Sequence, residues 1–274
     1  MKKNKAFWLI GPYALFMVIF TLIPLGVVAY YALTDPATGA FTLDNLRNLH
    51  LYLPTLGISV GYSVIAAIIC LFLGYPVAYY IAHRKPLTQK ILYMLTMLPM
   101  CMSFLLRTLA WVGILETNGI INSLLAQMGL PALEMIGTPG AVILGMVYNY
   151  LPFMIMPIHS VMVKLDKQVL EAAGDLGANP VQSFIKVVLP LTMSGVVSGI
   201  TMTFLPAITT FAISKLLGGD MLQLVGDVIE QQFKTDHNWN FGSAISIIII
   251  AIIMLFMKAL SKYEKENETG GLIR

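Results

Sequence analysis

Groups able to do chemistry are few in this chain, and they are scattered. Four histidines, His50, His83, His159 and His237, lie far apart, so no shared metal site is expected. Cys70 and Cys101 sit in apolar stretches without C-x-x-C spacing and read as small core residues. No G-x-x-x-x-G-K-[ST] phosphate loop is present, nor H-E-x-x-H, G-x-S-x-G or a paired-aspartate motif. P-loop nucleotide binding, zinc hydrolysis and serine hydrolysis therefore lack their residues. No basic run with interleaved aromatics points to nucleic acid. Two features remain: Arg107, alone in an uncharged stretch, and a densely patterned segment at 164–190.

That segment is readable residue by residue. Asp166 is placed to accept backbone N–H groups at the start of a short helix running to about Leu176. Gly177 supplies the left-handed conformation that ends a helix without a Cβ clash. Asn179 caps a second helix, with Pro180 at its first position and Gln182 three residues after the cap. Pro190 is expected to stop it. Helices shorter than about 12–15 residues are marginal alone in water, so both need packing, and Leu170, Ala173, Phe184 and Val188 offer the apolar surface.

The elements that must carry these residues follow from composition. Hydrophobic residues make up 57% of the 274 and charged residues 11%, with mean hydropathy +0.78. A soluble domain carries about 25% charge, so this chain has too little to face water. Uncharged stretches at 6–34, 58–82, 91–115 (interrupted by Arg107), 141–163, 191–214 and 241–257 each suffice for a helix across about 30 Å of hydrocarbon. The first is too long for a cleaved leader and reads as a retained span. The isoleucine-rich run 246–253 would be a strand elsewhere, but its context favours a helix in lipid.

Charge then sets orientation. Thirteen Lys/Arg lie before the first span, between the second and third, between the fourth and fifth, and after the sixth. The alternate connections hold only Arg47, Lys215 and Lys234. The positive-inside bias places both termini in the cytoplasm of an all-α, six-span protein. Residues 120–128 are apolar but short and should lie against the bundle or the membrane. Leu222, Val225, Ile229 and Phe233 recur at helical spacing and predict an amphipathic outer helix, with Asp227 and Glu230 between them. The polar end from Glu264 is expected to fray. No paired breaks mark an inverted repeat, which favours half of a dimeric pore.

The spacing Glu171-Ala172-Ala173, Gly177, then Val187-Val188-Leu189-Pro190 resembles the EAA loop (EAA-x3-G-x9-I-x-L-P) of ATP-binding-cassette importer permeases, with Val187 in place of Ile. Pro99–Leu115 with Leu106-Arg107-Thr108 and Trp111, Asn149–Met154, Phe204–Ala207 and Leu216–Gly219 are similar to the PotB-type spermidine/putrescine permeases, from about Phe41 to Met257. The resemblance implies a type I ABC importer permease in the bacterial inner membrane, with no enzymatic site and no cofactor of its own. Residues 1–57 would hold a peripheral first span and outer loop, 58–260 a five-helix core, and 261–274 a cytoplasmic tail. Implied partners are a cytoplasmic ATPase dimer that binds ATP, a second related permease, an extracytoplasmic polyamine-binding protein and the lipid bilayer. Glu171, Ala172, Ala173, Gly177, Leu189 and Pro190 would form the ATPase-coupling loop.

The resemblance also locates a pathway, for which Arg107, Tyr148, Asn149, Thr210 and Phe211 are candidates. Pro152 and Pro157 either line it or merely bend their helix. Acidic residues common among such permeases are replaced here at Thr210, Lys215 and Asn238. Arg107 carries two readings. An arginine at mid-membrane costs about 2.5–3.5 kcal/mol on insertion scales, so it either clamps an ion pair or carbonyls, or meets substrate. An importer of another small solute, possibly anionic, and an intramembrane enzyme without a familiar motif are the alternatives to polyamine import.

Overall fold

The computed structural model describes residues 11–36, 38–219 and 222–270, with the side chains of Lys167 and 263–270 outside the description. Among the described residues the regular secondary structure is helical, joined by turns and extended connections, with one isolated bridge between Thr34 and Phe41. The helices are α1 (Gly11–Ala32), α2 (Leu53–Ala82), α3 (Pro86–Met97), α4 (Phe104–Leu115), α5 (Ile120–Gln127) and α6 (Pro139–Met162). They continue as α7 (Lys167–Asp175), α8 (Pro180–Leu191), α9 (Met193–Ile208), α10 (Val225–Lys234) and α11 (Trp239–Gly270). Five described helical stretches are long and apolar enough to cross a membrane, or six if α8 and α9 count as one bent span.

Two of the expected spans are corrected. The stretch 91–115 is not one helix. Pro99 has no N–H to continue α3, a tight turn covers Leu98–Cys101, and Met102 is extended before α4 begins. The apolar stretch long enough to cross runs instead over Phe104–Gln127. The fifth span does not start cleanly at Leu191. Helix passes through Pro190 to Leu191 and then bends by 63° into α9. A widened turn at Phe184–Val188 precedes Pro190, relieving the clash between its ring and the preceding turn of carbonyls. The C-terminal helix reaches Gly270 where fraying was expected, while 271–274 lie outside the described residues.

The chain divides into two compact units. One comprises the chain up to Pro54 with Val228–Met254. In it the last carbonyls of α1, orphaned as at any helix end, are met by side-chain amides. Asn240 Nδ2 donates to Tyr31 O at 3.0 Å and Thr34 O at 2.6 Å, and Asn45 Nδ2 donates to Ala32 O and Thr34 O. Tyr31 packs on Trp239 and Tyr52 on Phe241.

The other unit comprises Thr55–Asp227 and Leu255 onward. Helix α6 is at its centre, with Met146, Met154 and Ile158 wholly enclosed. Helix α9 packs against it almost backbone to backbone. A Cβ at Gly195 would stand 3.0 Å from Ile158 Cα and Pro157 O, and one at Gly199 would stand 2.7 Å from Met154 Sδ. Small residues four apart permit this approach, the usual device of helix pairs in lipid. Phe204 stacks on Phe256 at 4.0 Å. Cys70 is buried as expected, but Cys101 is exposed, because the turn at Leu98–Cys101 takes it off the bundle.

Candidate functional site

The patterned segment folds as its residues require. Asp166 accepts the Gln168 N–H at 3.0 Å and starts α7. Gly177 takes φ +82°. Around it the Ala178 N–H reaches back to Ala173 O at 3.0 Å and the Gly177 N–H to Gly174 O at 2.8 Å, which closes α7 as a Schellman motif. Two residues on, Asn179 Oδ1 accepts from Gln182 N–H at 2.8 Å, and Gln182 Oε1 accepts from Asn179 N–H at 3.0 Å, a complete capping box.

Glu171, Ala172 and Gly177 are exposed, Ala173 is buried, Leu189 is partly buried and Pro190 is exposed. Ala173 therefore seats the helix pair while its neighbours remain open. Leu176 and Val181 are also exposed, at 90% and 65%, on either side of the bend.

Aromatic rings hold this segment to α2. Phe184 meets Tyr75 and Tyr79 edge to face, each at 5.6 Å. The Tyr75 hydroxyl lies 2.8 Å from Thr192 Oγ1, at the bend. Neither tyrosine was singled out by the sequence reading. Their spacing of four on one helix face was the available signal.

The pathway candidates fall into two sets. Tyr148 and Phe211 are exposed, at 36% and 42%. Tyr148 forms an edge-to-face pair with Trp111 of α4 at 5.3 Å. Asn149, Thr210 and Arg107 are buried instead, Arg107 at 8% exposure. Asn149 Nδ2 donates to Gly145 O at 2.9 Å and, more weakly, to Thr108 Oγ1 at 3.5 Å, tying α6 to α4 next to Arg107. Arg107 Nε and Nη1 find no hydrogen-bond partner among the described residues, and neither does Asn149 Oδ1. The expected ion-pair or carbonyl clamp is thus not made at these two nitrogens.

The acidic residues of the outer helix differ from expectation as well. Asp227 is buried at 6%, its Oδ2 accepting the Leu224 N–H at 2.8 Å. It serves the start of α10 and does not mark an exposed face. Glu230 pairs with Lys234 at 3.0 Å. Asp220 lies outside the described residues.

The histidines stay apart in function. His83 Nδ1 is 2.8 Å from Tyr79 O, and His159 stacks on Tyr93 at 4.6 Å. No group of three potential metal ligands occurs among the described residues.

Comparison with known proteins bears on this arrangement. Residues 73–263 match the family described as binding-protein-dependent transport system inner membrane component. Over 250 residues, 88% of this chain and 87% of the relative, the sequence is 40% identical to the spermidine/putrescine transport system permease protein PotB of Haemophilus influenzae. Identity to the Escherichia coli protein of the same name is 40% over 221 residues, 79% of this chain and 80% of the relative. The Escherichia coli inner membrane ABC transporter permease protein YdcU is 30% identical over 93% of this chain and 89% of its own length.

Among solved structures, a chain of a bacterial ABC transporter involved in import of the acidic polysaccharide alginate superposes with TM-score 0.76. That match covers 97% of this chain and 98% of the other at 15% identity, which establishes the fold alone. The resemblance read from 171–190 is borne out, and the all-helical, multi-pass architecture is that of an ABC importer permease. This chain belongs to the family of inner-membrane components of binding-protein-dependent transport systems.

Proposed function

We propose that this permease moves a polyamine, spermidine or putrescine, into the cell. The observation that carries the reading is 40% identity over 88% of the chain to a permease named for those two solutes. ATP hydrolysis would come from two cytoplasmic ATPase subunits, delivery from an extracytoplasmic binding protein, and the other half of the pore from a second permease. Both termini and the α7–α8 pair then face the cytoplasm, as the distribution of Lys/Arg favours.

The site geometry is compatible with a cationic cargo. The exposed pathway candidates Tyr148 and Phe211 are aromatic, and Tyr148 has Trp111 against it. Ring faces attract ammonium groups with about 0.5–2 kcal/mol each. Asp227 and Glu230 are engaged in their own helix, so the carboxylates that a polyamine needs are assigned to the second permease. Arg107 is enclosed within the bundle, and a polyamine passing Tyr148 and Phe211 need not meet its charge.

Coupling follows from the α7–α8 pair. Glu171, Ala172, Gly177 and Pro190 present the surface, while Ala173 and Leu189 seat it. ATPase closure pushing on this pair would reach α9 through the bend at Thr192 and switch the access of the pathway. The test is uptake of labelled spermidine by the assembled complex in proteoliposomes. ATP-dependent accumulation is expected. Accumulation of an anionic solute with none of spermidine or putrescine would overturn the substrate reading and leave the permease assignment intact.

A further inference from the structure

We propose that the cleft between the end of α2 and Phe184 of α8 binds one anionic glycerophospholipid of the inner leaflet, an inference resting on the inward orientation proposed above. The cleft has a volume of about 540 Å³ and is lined by Tyr75, Pro76, Tyr79, Tyr80, His83, Arg84 and Phe184. That is within the range of pockets for small-molecule ligands, about 300–1,000 Å³.

Its walls are ring faces and edges. Tyr79 and Phe184 meet at 5.6 Å, and the His83 ring lies 4.1 Å from that of Tyr79. His83 Nδ1 is committed to Tyr79 O. The one directed cation is at the mouth, where the Arg84 guanidinium lies 3.9 Å above the Tyr80 ring. No acidic side chain pairs with Arg84 among the described residues. The whole run from Asn45 to Leu115 contains no Asp or Glu, while Lys85 and Lys90 follow Arg84.

An apolar slot with one fixed cation at its rim matches an amphiphile with a single anionic head. A peptide would need backbone hydrogen-bond partners along the cleft, and rings do not supply them. The exposed face of α2 continues the slot toward the membrane interior through Phe72, Leu73 and Val77, a path for an acyl chain. Tyrosine and arginine at this depth are the residues that seek the headgroup level. Basic pockets between helices on the cytoplasmic side hold anionic headgroups for the same electrostatic reason. The lipid would brace Phe184, and through it the α8 segment.

The experiment uses the assembled complex in nanodiscs of phosphatidylcholine with phosphatidylglycerol, read by native mass spectrometry. One phosphatidylglycerol retained in preference to phosphatidylcholine is expected. Arg84→Gln should weaken that retention about tenfold, as loss of a charge-assisted contact does. Tyr80→Leu, which frees the guanidinium, should do the same, and Tyr80→Phe should not. Arg47→Gln, on the opposite side of the membrane, should leave it unchanged. Equal retention of both lipids, retention unaffected by Arg84→Gln and Tyr80→Leu, or a photocrosslinker at position 80 that captures a protein segment in place of lipid, each overturns the proposal. Lipid retention is read without spermidine, so a failed uptake assay and a failed lipid assay are separate results.

Discussion

The hydroxyl of Tyr75 lies 2.8 Å from Thr192 Oγ1, at the residue where the chain bends by 63° between α8 and α9. Thr192 in turn donates to Val188 O at 2.8 Å. The same tyrosine ring stands edge-on to Phe184, one turn below. One side chain of α2 therefore touches both the segment that would receive the ATPase stroke and the bend that would pass it on.

Tyr75→Phe keeps the ring on Phe184 and deletes the hydrogen bond at the bend. The loss should be about 0.5–1.5 kcal/mol, seen as a small fall in the melting temperature of the complex. Transport should suffer more than ATP hydrolysis, raising the ATP consumed per spermidine imported. An unchanged ratio with an unchanged melting temperature would show that Tyr75 is packing only.

Gly177 holds φ +82° with nothing within 4 Å of a Cβ placed there. A substitution is therefore penalised by backbone strain and not by crowding. Gly177→Val should cost about 1–3 kcal/mol locally, opening the Schellman closure and misdirecting α7 relative to α8. Transport and ATPase attachment should be lost while the subunit still inserts. Co-purification of the ATPase with the variant measures this, and normal transport with bound ATPase would remove 164–190 from the coupling role.

Gly199 presents the opposite case, an ordinary helical backbone with Met154 Sδ at 2.7 Å and Met154 O at 3.1 Å from a built Cβ. Gly199→Val must separate α9 from α6, and overpacking of this kind costs about 1–3 kcal/mol or more. Membrane-inserted protein should fall several-fold. Gly140→Ala, whose nearest neighbour would be Thr138 Oγ1 at 3.8 Å, should express normally. Quantified membrane fractions of the two variants make the comparison.

How much of this was legible beforehand depends on the range of the interaction. Asp166, Gly177, Asn179 and Gln182 act on backbone groups within five residues of themselves, so type and spacing sufficed. Pro190 announced a break in the helix, but not that the helix passes through it to bend at Thr192, nor that Tyr75, far away in sequence, meets that bend. The break at 98–103 was hidden because absence of charge is blind to backbone direction; Pro99, which lacks an N–H, was the signal available for it. Asp227 misled because a carboxylate between apolar residues reads as solvent-facing, whereas here it satisfies an N–H at the start of α10. A side chain turned into the protein was one of the two readings open for Arg107; what the sequence did not carry is that its Nε and Nη1 find no partner among the described residues.

Orientation can be tested with single cysteines in a Cys70→Ser, Cys101→Ser background. Thr88, exposed in the first turn of α3 just after the basic connection from α2, should be shielded from impermeant thiol reagents in intact cells once replaced by cysteine. Glu134, exposed in the connection between α5 and α6, should react as cysteine. It is a better reporter than Asn45, whose amide clamps the end of α1. Labelling at 88 without permeabilisation would reverse the topology and, with it, the cytoplasmic placement of α7 and α8.

The last test concerns Arg107. Its side chain is 8% exposed, and two of its three nitrogens have no partner among the described residues. A buried charge without full compensation is a net cost, and replacing it with an apolar group of similar reach is commonly neutral or stabilising. Arg107→Met should therefore hold or raise the melting temperature of the complex. Spermidine uptake should persist with unchanged preference over putrescine, because a cationic cargo gains nothing from a neighbouring guanidinium. An anionic cargo forecasts the reverse: stability held, uptake of that anion lost, and spermidine uptake absent from wild type as well. A third result, disassembly of the complex with Arg107→Met but rescue by Arg107→Lys, would place a carboxylate of the second permease against this residue and make it a subunit anchor. Melting temperature, subunit stoichiometry and competitive uptake, measured on wild type and both variants, separate the three.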